Sequence, residues 1–246
     1  MSLPVVDPPE RSGTGSGPSE RIGTGTEPVE RSDTGAERDV RDTDDSDDGN
    51  VPAVVGVLLA AGTSSRFGAR NKLLEEVEGV PIVRQAAESL LTSRVDAVTV
   101  VLGHDADRVR TVLEGLPVTF VENPRYEEGQ ATSVGSGVEA VRDRPVRDRA
   151  DAILFALGDM PFVDPDSVNA LIDSYRAGLG DALAAACEGK RGNPALFDAR
   201  HFEALADVEG DTGGRKILLR EGTLVETGDP GVLADVDDPD DLERMS

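Results

Sequence analysis

The hydrophobic pattern of the chain changes near residue 51 and then alternates between two kinds of segment. Five continuous apolar runs have the length of buried strands: 54–59, 97–102, 118–121, 152–157 and 182–187. Between them, apolar residues recur at helical spacing, as at Ile82, Ala86 and Leu90. Buried strands separated by amphipathic helices are typical of parallel sheets. The pattern therefore predicts an α/β fold, a three-layer, doubly wound and mostly parallel sheet with helices on both faces.

The C-terminal part carries weaker signals for further elements. We expect a short strand at 195–197, a last strand at 231–236 and a closing helix that begins at Pro239. The helix after the fourth apolar run can be capped by either Asp164 or Asp166, because an aspartate side chain accepts hydrogen bonds from the first helical N–H groups.

The first 50 residues differ in composition from the rest of the chain. They are rich in Gly, Ser, Thr, Pro and charged residues, and imperfect ten-residue repeats begin at Glu10, Glu20 and Glu30. Such a segment has too few large apolar side chains to form a core. We therefore expect a disordered N-terminal tail over 1–50 and one folded domain over 51–246.

The first apolar run ends in a loop of small residues that also contains two cations, Arg66 and Lys72. The residues at 60–62 are small enough for backbone N–H groups to approach a ligand closely. Arginine and lysine side chains can neutralise a polyphosphate. The loop lacks the Lys-Ser/Thr pair of a P-loop and the three-glycine spacing of a dinucleotide fingerprint. It therefore indicates an anion site of another kind.

Acidic residues follow later apolar runs at the same edge of the predicted sheet. Asp159 follows the fourth run, Asp235 and Asp237 lie at the end of the expected last strand, and the turn 129–133 opens a helix. Ligands of open parallel sheets bind outside the carboxyl ends of the strands. Mg²⁺ takes one or two carboxylates together with substrate phosphates. Together with the cationic loop, these residues predict a site for a nucleoside triphosphate with Mg²⁺.

The net charge of -23 limits the choice of partners. Nucleic acid is not expected as a partner, because a phosphate backbone must be met by a basic surface, so the substrate should be small. The chain has only three lysines among its 25 basic residues. This composition indicates adaptation to high salt, where repulsion between surface charges is screened, and an ordinary acidic protein is the alternative.

Cysteine content and hydropathy bear on the compartment. Cys187 is the only cysteine, which excludes an internal disulfide framework. No apolar segment is long enough to span a membrane, and the N terminus has no charged-then-apolar signal. We expect a cytoplasmic protein with no membrane partner.

Seven segments, in one order, resemble the motifs of a known enzyme family: L-A-A-G-T-S-S-R-F-G-A-R-N-K-L-L, G-H-D, N-P-R-Y-E-E-G-Q-A-T-S-V, L-G-D-M-P, R-G-N-P-A-L-F, G-D-T-G-G-R and D-V-D-D-P-D-D-L. They span about 54–242 and resemble the MobA-like NTP transferases, nucleotidyltransferases of molybdenum cofactor maturation. The likeness is greatest to the cytidylyltransferase branch. It implies the Rossmann-like, GT-A type fold of nucleotide-diphospho-sugar transferases.

The resemblance implies a role for each matching position. Arg66 and Lys72 bind the phosphates and act in catalysis with Asp159, which also binds Mg²⁺. The second metal ligand is Asp235, with Asp237 as the alternative. The implied nucleotide-binding residues also include Leu59, Ala60, Ala61, Gly62, Gly129 and Ser133. The implied acceptor-binding residues are Asn193, Pro194, Asp211, Thr212 and Gly213.

The implied reaction transfers a nucleoside monophosphate to the phosphate of a small molybdopterin-type acceptor and releases pyrophosphate. The triplet Ala60-Ala61-Gly62 favours CTP over GTP, because the guanylyl enzymes typically have Ala-Gly-Gly there. A transient contact with a molybdoenzyme is also implied. Three alternatives stay open: a sugar-phosphate or polyol-phosphate acceptor, a GTP-using guanylyltransferase, and a nucleotide-binding maturation partner of a molybdoenzyme without turnover.

Overall fold

The computed structural model describes residues 3–9, 51–63, 70–145, 149–207, 214–238 and 241. Its strands are β1 (Val5–Val6), β2 (Val54–Ala60), β3 (Glu76–Val77), β4 (Val80–Pro81), β5 (Ala97–Leu102), β6 (Val118–Glu122), β7 (Ala152–Leu157), β8 (Ala182–Cys187), β9 (Lys190–Asp198) and β10 (Thr223–Glu226). Its α-helices are α1 (Ile82–Thr92), α2 (Ala106–Val112), α3 (Gln130–Arg142), α4 (Pro165–Arg176), α5 (Phe202–Ala206) and α6 (Arg215–Glu221). Short 3-10 helices lie at Lys72–Leu74, Tyr126–Glu128, Ala199–His201 and Pro230–Leu233. None of the described helices has the length and apolar character needed to cross a membrane.

Eight strands form one sheet in the order β1-β10-β8-β9-β7-β2-β5-β6, and β3 and β4 pair separately. Neighbouring strands of the large sheet are parallel except for β9, which runs antiparallel to both β7 and β8. The predicted mostly parallel sheet is confirmed. Since β7 and β8 both run opposite to β9, their carboxyl ends lie beside the start of β9, and this side of the sheet is called its carboxyl edge.

Side chains of β2, whose seven residues are all buried, alternate between the two faces of the sheet. Leu58 and Ala60 pack in an apolar cluster with residues of α1, α2 and α4. Val57 and Leu59 pack in a second cluster with residues of α3, α5 and α6, as does Ala61, which follows the strand. The helices therefore cover both faces, as the three-layer prediction requires.

The strands at 97–102, 152–157 and 182–187 have the predicted bounds. The structure also decides between the two candidate caps of α4. Asp164 is the capping residue, because its Oδ1 accepts a hydrogen bond from the Asp166 backbone N–H at 2.8 Å.

The strand expected at 231–236 is wrong. Pro230–Leu233 forms a 3-10 helix, which Asp229 caps by accepting a hydrogen bond from the Gly231 N–H. The last strand along the chain is β10, whose four residues were not predicted as a strand. The closing helix expected from Pro239 lies outside the described residues except at 241.

The short strand expected at 195–197 is the end of a longer one, β9. A hairpin joins β8 to β9 through Glu188 and Gly189, which have φ values of 53° and 70°. Positive φ at both central residues is the geometry of the tight turn that joins antiparallel strands. A helical crossover was therefore not needed here, which explains why this strand reverses direction.

The N terminus differs from the predicted tail over 1–50. Val5 and Val6 form β1, which pairs in parallel with Leu224 and Val225 at the edge of the large sheet. An edge strand offers unpaired N–H and C=O groups, so even two residues can pair with it, although they carry no recognisable strand pattern. Residues 3–9 thus belong to the same compact unit as the part that begins at Val51. The repeats over 10–50 lie outside the described residues.

Candidate active site

A cleft of about 470 Å³ opens at the carboxyl ends of β2 and β7. This is the position expected for a ligand of an open parallel sheet, and the volume is in the usual range of small-ligand sites. Several predicted nucleotide-binding residues line it together with the predicted metal ligand Asp159: Leu59, Ala61, Gly62, Lys72, Gly129 and Ser133. The structure thus brings residues from four separate parts of the chain to one place.

Lys72 is placed in the cleft by its neighbours in the 3-10 helix. The side chain of Asn71 caps this helix by accepting a hydrogen bond from the Leu73 N–H at 3.0 Å. Leu73 is buried in the apolar cluster on the α1 side of the sheet. A capped turn with one buried leucine leaves Lys72 little freedom to leave the cleft.

The ammonium group of Lys72 contacts the acidic residues predicted as metal ligands. Its Nζ lies 2.6 Å from Asp159 Oδ2 and 3.6 Å from Asp237 Oδ1. It also donates a hydrogen bond to the Val236 carbonyl oxygen at 2.9 Å. A cation is therefore held between two chain segments that are far apart in the sequence but carry the same sign of charge.

The acidic residues come together because β7 and the C-terminal segment meet at one edge. The Gly158 N–H donates to the Leu59 carbonyl at 2.9 Å, and the Val236 N–H donates to the Asp159 carbonyl at 3.0 Å. The pKa of Asp235 is raised, mainly by desolvation and then by the negative charges of Asp237 and Asp159. The charges of Asp159 and Asp237 thus act on the carboxyl group of Asp235, and a cation that binds beside it would favour its ionised form.

These residues fit a magnesium ion that is completed by substrate. Among the described residues, no group of three or more His, Cys, Asp or Glu side chains is arranged to hold a metal by itself. Mg²⁺ is usually bound by one or two carboxylates, with phosphates and waters as its other ligands. The pair Asp159 and Asp235, or Asp159 and Asp237, offers that oxygen chemistry, and the ammonium of Lys72 already marks the place as favourable for a cation.

The wall opposite the carboxylates is the start of α3. Gly129 precedes the helix with φ of 111° and makes no side-chain cap, which leaves backbone N–H groups of the first turn for a ligand. The Ser133 hydroxyl accepts a hydrogen bond from the buried Asn123 amide at 3.0 Å. Asn123 also donates to the Thr132 hydroxyl at 2.9 Å. Asn123 therefore fixes the helix start against the end of β6.

Other predicted site residues lie elsewhere or outside the described part. Ala60 is buried in the apolar cluster on the α1 side of the sheet and does not line the cleft, so only its backbone can serve a nucleotide there. Asn193 and Pro194 line a small neighbouring cavity, and Leu157 lines both that cavity and the cleft. Four predicted residues lie outside the described residues: Arg66, Asp211, Thr212 and Gly213.

Two arginines lie at the same edge: Arg191, which was not predicted as a site residue, and Arg215, the last residue of the G-D-T-G-G-R segment that the resemblance places around the acceptor substrate. Arg191 lies at the start of β9, opposite Ala186 near the end of β8, and Arg215 is the first residue of α6. Desolvation, followed by the nearby charge of Arg215, lowers the pKa of Arg191. Within the described ranges, neither guanidinium has a carboxylate partner. The sequence signal was the basic pair 190–191 in an otherwise acidic chain.

Tyr126 and Gln130 also line the cleft without having been predicted as site residues. Both belong to the N-P-R-Y-E-E-G-Q-A-T-S-V segment, in which only Gly129 and Ser133 were assigned a role. Their position beside Gly129 was the available signal. Loop residues next to a helix start commonly face the ligand that the helix start binds.

Comparisons with known proteins identify the family of the chain. A family model described as the MobA-like NTP transferase domain matches residues 56–225. The chain is 32% identical over 204 residues to a protein of Paenarthrobacter nicotinovorans named nicotine blue oxidoreductase, covering 80% of this chain and 97% of that protein. It is 29% identical over 212 residues to a probable molybdenum cofactor guanylyltransferase of Natronomonas pharaonis, covering 77% and 95%.

A solved structure shares the architecture. Rv0371c of Mycobacterium tuberculosis superposes with a TM-score of 0.66 and 28% identity, covering 79% of this chain and 98% of that one. The same protein has also been solved in complex with manganese, with a TM-score of 0.61. The family model spans more than half of the chain, and its match includes all the residues that line the cleft, from Leu59 to Asp159. The chain therefore belongs to the MobA-like NTP transferase family, a family of nucleotidyltransferases.

Proposed function

We propose that this protein transfers a nucleoside monophosphate, CMP from CTP, to the phosphate of a molybdopterin-type acceptor with the help of Mg²⁺. The observation that carries the proposal is the contact of Lys72 with both Asp159 and Asp237 at one end of the cleft. A triphosphate needs cations beside its phosphates, and its metal ion needs carboxylates. The two requirements meet within a few ångströms here.

The proposed reaction is a direct transfer that needs no protein nucleophile. An oxygen of the acceptor phosphate attacks the α-phosphorus of the nucleotide, and a new P–O bond forms. The bond from the α-phosphorus to the bridging oxygen breaks, and pyrophosphate leaves with that electron pair. Lys72 offsets charge on the phosphates, and Asp159 with Asp235 or Asp237 would hold the metal. When bound, Mg²⁺ supplies further positive charge to the phosphates.

Two of the proposed acceptor-binding residues, Asn193 and Pro194, lie next to the nucleotide cleft: they line a cavity of about 10 Å³ that shares Leu157 with the cleft and is too small to hold the acceptor itself. Asn193 reaches this place because β9 bulges between the residues that pair with Ala184 and Ala186. Arg191 and Arg215, which pair with no carboxylate of the described residues, suit a phosphorylated acceptor, since two close guanidiniums repel each other until an anion binds.

Replacing Arg191 with alanine is expected to raise the KM for the acceptor about tenfold or more, because one charge-assisted contact to its phosphate is lost. The KM for the nucleotide should stay within about twofold, since Arg191 does not line the nucleotide cleft. Steady-state pyrophosphate release, with each substrate varied in turn, measures both constants. The matched control is Arg108→Ala, which removes an exposed arginine paired with Asp105. Equal shifts in both KM values would contradict the assignment.

The base preference is proposed to depend on Ala61, which lines the cleft and is 3% exposed. Ala61→Gly removes a methyl group from the cleft wall and recreates the Ala-Gly-Gly triplet of the guanylyl enzymes. We expect the ratio of CTP to GTP affinity to fall at least about tenfold, which is roughly the effect of one methylene in a binding site. Titration calorimetry with the four nucleoside triphosphates, at molar salt and with Mg²⁺, measures the ratio.

Ala60→Gly is the matched control for this experiment. Ala60 is as buried as Ala61, but its methyl group packs on the opposite face of the sheet. The control should lower thermal stability by a similar amount, through lost packing and backbone entropy, and leave the base preference unchanged. A tighter binding of GTP than CTP by the unaltered protein would instead support the guanylyl alternative, which the Natronomonas relative favours by its name.

The acceptor alternatives are separated by the same assay. Pyrophosphate release with sugar phosphates or polyol phosphates, but not with a molybdopterin-type acceptor, would keep the transfer and replace the substrate. Nucleotide binding without pyrophosphate release under any acceptor would favour a maturation partner of a molybdoenzyme. The presence of Lys72 and Asp159 in ion-pair contact argues for turnover, because a simple carrier needs no metal-ready carboxylate beside the phosphates.

A further inference from the structure

The segment 229–237 carries the predicted second metal ligand, yet it lies outside the sheet. It follows β10, forms the 3-10 helix Pro230–Leu233 and then extends to Asp235 and Asp237. Its position relative to Asp159 therefore depends on contacts other than strand pairing. At its far end, one such contact is the hydrogen bond from the Val236 N–H to the Asp159 carbonyl at 3.0 Å.

At its near end the segment is held by the carboxylate of Asp229. One oxygen, Oδ1, accepts a hydrogen bond from the Gly231 N–H at 2.7 Å. The other oxygen, Oδ2, accepts from the Asp164 N–H at 2.9 Å and from the Ser167 hydroxyl at 2.8 Å. Asp164 and Ser167 belong to the start of α4, which directly follows the loop that begins at Asp159. Asp229 thus joins the two segments that carry the predicted metal ligands.

The 3-10 helix packs closely against the backbone on either side of it. A Cβ atom added at Gly231 would lie 2.0 Å from the Phe162 carbonyl oxygen. A Cβ atom added at Gly192 would likewise lie 2.0 Å from the Val232 carbonyl oxygen. Backbone therefore packs directly on backbone on both sides of the 3-10 helix, and the Asp229 carboxylate links the start of that helix to the start of α4.

From these contacts we propose that Asp229 is a positioning residue, which sets the separation between Asp159 and the carboxylates of Asp235 and Asp237 and thereby the affinity for a divalent cation. The inference rests on the proposed metal site and adds a residue that touches neither metal nor substrate. Groups that orient metal ligands typically change metal affinity about 10–100-fold when they are replaced.

A purely structural role for Asp229 is the competing explanation, and the chain contains a matched control for it. Asp198 also caps a 3-10 helix, by accepting a hydrogen bond from the Arg200 N–H at 2.9 Å. It also accepts a hydrogen bond at 2.6 Å from the hydroxyl group of Tyr175, a residue of α4. It lies at the end of β9, opposite Ala152 at the start of β7. Asp198 is therefore at the amino-terminal ends of the parallel strands, away from the carboxyl edge. The two aspartates therefore differ mainly in their distance from the predicted metal ligands.

The test compares Asp229→Asn with Asp198→Asn in the full chain at molar salt. An amide offers one acceptor oxygen, so it cannot serve both sets of donors that the Asp229 carboxylate serves. Binding of Mn²⁺, a spectroscopic substitute for Mg²⁺, is followed by electron paramagnetic resonance with and without CTP. We expect Asp229→Asn to raise the Mn²⁺ Kd about tenfold and to leave metal-free CTP binding unchanged. Asp198→Asn should leave the Mn²⁺ Kd unchanged at a comparable loss of Tm.

Other outcomes overturn the inference. An unchanged Mn²⁺ Kd in Asp229→Asn, or an equal rise in both variants, would reduce Asp229 to a helix cap. If Asp229→Asn does not fold, Ser167→Ala replaces it: this variant removes one of the three donors, and a rise of the Mn²⁺ Kd of at least about twofold is required. Asp159→Ala distinguishes a failure of the proposed metal site from a failure of the proposed role of Asp229. If it fails to weaken Mn²⁺ binding, the metal site itself is wrong, whereas weakening by Asp159→Ala alone refutes only the role of Asp229.

Discussion

Asp159→Ala is expected to lower pyrophosphate release by at least about 10²–10³-fold, the usual cost of removing one electrostatic partner of a transition state. The residue lies at the end of β7, lines the cleft and is in ion-pair contact with Lys72. Its loss would remove a carboxylate from the metal and leave the lysine without its nearest partner. The effect should appear in kcat at saturating nucleotide, because the metal is needed most where charge develops. A coupled pyrophosphate assay measures it.

The control for this variant is Asp173→Ala, which removes a carboxylate of α4 that pairs with Arg94 on the surface. Exposed ion pairs contribute little to stability, so the control should keep its activity and nearly all of its Tm. Circular dichroism would confirm that both variants fold at molar salt. Turnover by Asp159→Ala within about threefold of the unaltered protein would exclude Asp159 as a metal ligand, since such a loss is far below the expected range.

Lys72→Ala is expected to change two affinities in opposite directions. Binding of CTP should weaken about 10–100-fold, because a charge-assisted contact to its phosphates is lost. Binding of Mn²⁺ without nucleotide should become tighter, because the ammonium no longer occupies the space beside Asp159 and Asp237. Titration calorimetry of each ligand alone measures both changes. The opposite signs distinguish a local electrostatic effect from partial unfolding, which would weaken both.

Lys190→Ala is the matched control, since Lys190 is an exposed lysine at the start of β9 and does not line the cleft. Neither affinity should change by more than about twofold in this variant. If Lys72→Ala weakened the binding of Mn²⁺ as well as CTP, the lysine would be needed to hold the carboxylates in place. The proposed separation of a phosphate contact from a metal pair would then be wrong.

Local patterns were sufficient to predict the buried strands and one half of the site. Continuous apolar runs gave the bounds of β5, β7 and β8, because a strand buried on both faces needs no partner information to be recognised. The position of Asp159 after such a run placed it at the carboxyl edge, where the structure has it. The roles of these residues remain predictions, and Arg66 lies outside the described residues.

Local patterns failed where pairing overrides them. The reversal of β9 follows from a two-residue turn, and β1 is a strand only because the edge of β10 is there to pair with it. The predicted strand at 231–236 is apolar enough, but the cap formed by Asp229 and the close contact at Gly231 select a 3-10 helix instead. The pairing of β1 and the close approach of Gly231 to Phe162 are contacts with distant parts of the chain, whereas the turn before β9 and the Asp229 cap are local.

The sequence by itself determined the α/β class, the five buried strands β2, β5, β6, β7 and β8, and the types of side chain that line the cleft, because these depend on periodicity and on residue type. Only the tertiary structure decided which polar groups meet. Lys72 and Val236 are 164 positions apart, and Asp229 reaches Asp164 across 65 positions. Such contacts depend on strand order and on backbone packing, and neither leaves a periodic signal in the chain.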